Sequence, residues 1–169
     1  MPKVIILSGV SGSGKSTYAR KHFPEAIRLS ADDYFLQDAK WNFDPTKLTE
    51  AHAECFSKFL FHLASPASKE EVIVVDNTNC SAWEIAPYVL AATSFGFEHE
   101  IITLFVPWNK LEECARRNVH NVPTNVISKM FDVLLKRTLP GHWNAREVDA
   151  HRQEIANIHP SNCPCNDCR

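Results

Sequence analysis

The segment Gly9-Val10-Ser11-Gly12-Ser13-Gly14-Lys15-Ser16, directly after the apolar run Val4-Ile5-Ile6-Leu7, constrains this chain more than any other. It fits G-x-x-x-x-G-K-[ST], in which glycines let the backbone turn its N–H groups inward as a nest for phosphate oxygens. Lys15 can then reach the β- and γ-phosphates, and the Ser16 hydroxyl is a ligand for Mg²⁺. The helix that the loop opens adds a dipole favourable to an anion. A strand, a phosphate loop and a helix in this order predict an α/β protein that binds a nucleoside triphosphate.

The rest of the chain fits that start. At 169 residues it suits one domain with a substantial core, and 44% hydrophobic with 22% charged residues is ordinary for a soluble protein. No apolar run approaches the ~20 residues that span a bilayer. Met1-Pro2-Lys3 leads straight into the first strand with no signal-peptide pattern, which predicts a cytoplasmic protein with reduced cysteines. The formal charge of −2 argues against tracking along nucleic acid, so any such contact is local, at a terminus or short strand.

Strand and helix signals alternate, predicting a mostly parallel sheet with crossover helices. Strands are expected at 3–8, 26–30, 72–76 and 98–106. Helices are expected over 15–23, after Asp44-Pro45, from Ser81 to about Ser94, from Asn109 to about Asn118, and from Pro123. Leu48, Cys55, Phe56, Phe59, Leu60 and Leu63 form an apolar stripe at helical spacing. Past Pro140 the pattern weakens, and 145–158 reads as a last helix. Domain organisation follows as a unit over 1–140 and an extension over 141–169 of helix and cysteine-rich tail, not a separate domain.

Several polar residues stand where chemistry is expected. Asp32 and Asp33 follow the second strand. Ligands of open α/β sheets lie beyond the strands' carboxyl ends, so an Asp here can take a proton from an attacking hydroxyl; the competing role is a helix N-cap. Asp76 ends the strongest β-run, where an acid holds Mg²⁺ or orients a cation, or begins an Asx turn. Asn77 and Asn79 suit either a turn or a site. Arg116 and Arg117, ahead of Asn118 and His120, can close over a triphosphate or complement a helix C-terminus. His159, Cys163, Cys165 and Cys168 offer zinc-binding groups, but the spacing is not the paired Cys-x-x-Cys of common zinc modules and a frayed terminus competes. Cys55, Cys80 and Cys114 read as packing thiols. Of Trp41, Trp83, Trp108 and Trp143, most are expected in the core, although any could stack on a base.

The loop Gly9 to Thr17, Asp32-Asp33-Tyr34, Asp76-Asn77-Thr78-Asn79, Val106-Pro107-Trp108, Arg117-Asn118 and Val122-Pro123 occur in this order. Together they resemble the kinase domain of phage-type polynucleotide 5′-hydroxyl kinases and related P-loop domains, over roughly residues 3–137. The resemblance implies a P-loop kinase fold: three α/β/α layers, a mostly parallel sheet of four to five strands, and a helical lid. It also implies ATP and Mg²⁺ as cofactors, contacted by Gly9, Ser11, Gly12, Ser13, Gly14, Lys15, Ser16, Thr17 and Arg117, with Ser16 on the metal. Lys15, Asp32 and Arg117 would carry catalysis, Asp32 as general base and Arg117 from the lid. Asp32 and Asp76 would face the acceptor, a DNA or RNA 5′ end. Two departures stand out: Phe35 occupies the place of an acceptor-contacting arginine, and His120 lies near where the phage lid has a second arginine. A nucleoside or other small hydroxyl compound is an alternative acceptor, and a nucleotide-binding interaction module an alternative class.

Overall fold

β1 (Lys3–Ser8) is apolar on both faces and lies at the centre of a five-stranded sheet, as expected of a strand covered on both sides. The computed structural model describes residues 2–37, 40–65 and 71–149. α1 (Lys15–His22) follows the glycine loop, then β2 (Ile27–Leu29), a 3₁₀ turn over Ala31–Phe35, and a short hairpin of β3 (Leu36–Gln37) and β4 (Lys40–Trp41). α2 (Leu48–Ala64), β5 (Val72–Asp76), α3 (Ala82–Ser94), β6 (Glu98–Phe105), α4 (Leu111–Arg117), α5 (Thr124–Lys136) and β7 (Ala145–Asp149) complete the order.

The strands lie β2-β5-β1-β6-β7, all parallel. Parallel neighbours require crossovers, and the helices supply them on both faces of the sheet. Val4 and Ile6 point to one face, where Ala51, Cys55, Phe59 and Leu63 of α2 and Ile85, Val89 and Ala92 of α3 cover them. Ile5 and Leu7 point to the other, beneath Tyr18 and Ala19 of α1. The α2 stripe thus divides: Cys55, Phe59 and Leu63 are buried, Phe56 and Leu60 are partly buried, and Leu48 is exposed. A third cluster joins Val10 and Val106 to Leu111 and Cys114 of α4 and Ile127 and Phe131 of α5.

Register decides where the functional groups lie. Leu7 pairs with Asp76 and Ser8 with Thr103, so the carboxyl ends of β1, β5 and β6 are level where the glycine loop begins. One segment departs from the sequence reading. Ala145–Asp149 is an edge strand rather than the start of a helix; residues 150–158 of that expected helix lie outside the described residues. β6 presents a row of backbone hydrogen-bonding groups at the sheet edge, and pairing with it overrides the helical propensity of Ala-Arg-Glu-Val-Asp. Glu100 of β6 ties this edge together through Lys3 at 2.6 Å and Arg146 of β7.

Candidate active site

Gly9, Gly12 and Gly14 all have positive φ, of 147°, 76° and 93°. At Gly12 the requirement is also steric, because a Cβ there would come within 2.1 Å of the Cys114 carbonyl oxygen. Gly14 faces open space and caps α1 from the left-handed region, leaving its helical N–H groups aimed outward. Ser13 Oγ is buried, and among the described residues it has no hydrogen-bond partner. An anion accepting from these donors would complete the loop.

Lys15 is buried, and its ammonium donates to the Gly9 carbonyl at 3.0 Å and the Val10 carbonyl at 2.9 Å. Burial pushes its pKa below the ordinary lysine value, while the nearby carboxylates of Asp76 and Asp32 act in the opposite sense. These groups line one cleft of about 410 Å³ that runs over the loop from Ser11 and the start of α1 to Lys21 and takes in Asp32, Asp76, Asn77, Arg117 and His120. Ser11 to Thr17, Asp32, Asp76 and Arg117 therefore all lie on it, Asp33, Asn79 and Arg116 do not, and Gly9 lies behind, its N–H donating to Thr78 O at 2.9 Å.

The turn bearing Asp32 is fastened to the end of β5. Ser30 is its N-cap: the hydroxyl accepts from Asp32 N–H at 3.3 Å and donates to the Asp76 carbonyl at 3.0 Å. The Asn77 side chain accepts from Ala31 N–H at 2.8 Å and, from its amide, donates to Tyr88 Oη at 3.3 Å. The two aspartates thus separate in role, and neither is the cap. Asp33 pairs with Arg28 at 3.0 Å, whereas Asp32 Oδ2 lies 3.2 Å from His120 Nε2. Asp76 is buried and meets Arg28 at 3.3 Å. Phe35 packs in the core beside Phe43.

Asn79 takes a left-handed φ of 43° and donates to the Leu7 carbonyl at 2.8 Å, locking the Asp-Asn-Thr-Asn segment over the end of β1. The two arginines separate as well. Arg117 donates to the Gly12 carbonyl at 3.2 Å and pairs with Glu113, while Arg116 lies in a different surface dip with Glu112 and Thr124.

Sequence reading missed Arg137. From the end of α5 its guanidinium donates to Ser8 Oγ at 2.6 Å, Asn79 O at 3.0 Å and Thr103 Oγ1 at 2.7 Å, joining the end of β1, the loop after β5 and β6. Burial lowers its pKa. Nothing local marks it out, since a lysine- or arginine-ended helix is commonplace.

The expectation that most tryptophans are core residues is corrected: Trp83 is 76% and Trp108 72% exposed, and Trp143 packs at the edge of the core. Cys55, Cys80 and Cys114 are buried free thiols, and burial pushes Cys80 up to about 11. His159, Cys163, Cys165 and Cys168 lie outside the described residues. No group of three or more metal-ligating His, Cys, Asp or Glu side chains occurs among the described residues, nor any helix long and apolar enough to cross a membrane.

A parallel sheet of this order, with a glycine loop after its central strand and a cleft at the carboxyl ends, is a P-loop kinase-like fold. The chain belongs to the AAA domain family AAA_33, whose model matches residues 4–138. Human NEDD4-binding protein 2 is 35% identical over 139 residues; the match covers 76% of this chain but 7% of that protein's length. The gluconokinase of Sinorhizobium meliloti superposes with a TM-score of 0.57 at 18% identity, covering 88% of this chain and 83% of its own. Kti12 of Chaetomium thermophilum, solved with ADP-AlF3, gives 0.59 at 13% identity, covering 92% and 96%. At these identities the likeness to the solved structures is one of fold.

Proposed function

We propose that this chain is an ATP-dependent kinase that transfers the γ-phosphoryl group to the 5′-hydroxyl end of a polynucleotide, DNA or RNA. The observation that carries the reading is the position of Asp32: a half-exposed carboxylate in the same cleft as Lys15 and the glycine loop, on a backbone anchored through Ser30 and Asn77. The acceptor oxygen bonds to the γ-phosphorus, the bond from that phosphorus to the β–γ bridging oxygen breaks, and the hydroxyl proton passes to Asp32. Lys15 leaves the loop carbonyls for the phosphates, and Arg117 offsets charge on the transferring group. Ser16, one residue into α1, supplies a hard oxygen donor suited to Mg²⁺ beside the phosphates, and the ion when bound neutralises charge on the β- and γ-oxygens. The polynucleotide acceptor is favoured by the ordered motif set from Gly9 to Pro123, and the charge of −2 fits contact with an end rather than a long tract.

A transfer assay with γ-labelled ATP against single-stranded DNA, RNA, nicked duplex, nucleosides and sugars tests the proposal. Label at an oligonucleotide 5′ end is the expected result. Label on small hydroxyl compounds alone would make the chain a small-molecule kinase, and ATP binding with no transfer a nucleotide-binding interaction module.

A further inference from the structure

We infer that His120 is the positioning residue for Asp32, an inference that rests on the kinase reading above. The backbone of Asp32 is anchored, but its side chain is 50% exposed, so the anchors at Ser30 and Asn77 leave the carboxylate torsion undetermined. His120 reaches that carboxylate from the opposite wall, with Nε2 at 3.2 Å from Oδ2.

The imidazole is held by a built loop. Asn118 donates from its amide to Ala115 O at 2.7 Å and Val122 O at 3.2 Å, and its side-chain oxygen accepts from Val122 N–H at 2.7 Å. Asn121 turns the chain with a φ of 54°. One end of the loop continues from α4, whose Cys114 is fully buried and whose Arg117 is bonded to Gly12; the other enters α5 at Pro123. His120 is therefore presented at the middle of a five-residue loop closed on itself by Asn118.

An Nε2–H donates to a carboxylate whether the ring is neutral or charged, and a carboxylate has a second oxygen for the acceptor. With Oδ2 held by the imidazole, Oδ1 is the atom that takes the acceptor's proton, and the lid and the base are set in one geometry. A loop of purely structural use would instead affect ATP binding through Arg117.

A double-mutant cycle decides between these roles. Wild type, His120→Ala, His120→Gln, Asp32→Asn and the His120→Ala/Asp32→Asn pair are compared on whichever acceptor the wild type uses fastest, water included. His120→Ala is expected to lower kcat about tenfold with KM for ATP within about twofold, and His120→Gln, which keeps an N–H donor, to recover most of the loss. On the Asp32→Asn background the His120→Ala change is expected to matter less than about twofold. Equal losses on both backgrounds, unaltered kcat in His120→Ala, or a loss confined to KM for ATP would overturn the assignment. If His120→Ala fails to fold, His120→Phe replaces it, keeping the ring without the donor. Failure of the wild type to label any oligonucleotide overturns the polynucleotide acceptor instead, and leaves the cycle readable on the acceptor that is used.

Discussion

Asp32 and Asp76 are both carboxylates at strand ends, yet their surroundings assign them different work. Asp76 is buried and paired with Arg28, whereas Asp32 is half exposed in the cleft, as the proposed general base must be to meet an incoming hydroxyl. Asp32→Asn is therefore expected to reduce phosphoryl transfer at least ~100-fold, the scale of general-base catalysis, while ATP affinity measured by fluorescence titration stays within about twofold. Unimpaired transfer would remove Asp32 from the role. At this scale the legible residues were those whose partners are near in sequence or whose type is unusual in itself. The glycines and Lys15 are of this kind, because the loop makes its own contacts over a few residues. Arg137 and the His120–Asp32 contact were not legible, since each joins segments that only the folded sheet brings together.

Among elements, the loop after β5 shows how a short polar motif can be structural and functional at once. Asn77 bonds Ala31 N–H, Tyr88 and Cys55, all from other segments, and so uses both amide donors and its oxygen. Asn77→Ala would leave the Ala31 N–H buried without its acceptor and cost about 2 kcal/mol, visible as a lower urea midpoint at unchanged slope. It is also expected to slow transfer, because the turn carrying Asp32 keeps only the Ser30 tie to the end of β5. The alternation of strands and helices was legible, since buried parallel strands read as β-branched runs and the helices carry apolar stripes. β7 was not: its residues are almost all exposed, so no hydrophobic pattern marks it, and only the unpaired edge of β6 makes it a strand.

Over the whole molecule, the sheet is closed at that edge by charge as well as by backbone pairing. Burial raises the pKa of Glu100, but Lys3 and Arg146 together outweigh it and hold the carboxyl below the ordinary carboxylate range. Its folded value thus lies below its unfolded one, so the stabilisation is complete above the ordinary carboxylate pKa and is lost as pH falls through the lower folded value. Glu100→Gln is expected to lose about 1 kcal/mol at neutral pH, where the partly exposed partners screen the pair. The difference from wild type should shrink as pH falls below the ordinary carboxylate range. Urea melts at both ends of that window provide the check, and a constant difference would place the effect elsewhere. The parallel order has a practical consequence for handling the protein. β1 starts at the sheet's amino end, and β7 finishes level with Phe105 at the carboxyl end, where the cleft opens. A surface tether or fluorescent fusion ahead of Lys3 is therefore expected to leave the cleft facing outward, whereas one joined after Asp149 starts from the same end of the sheet as the cleft.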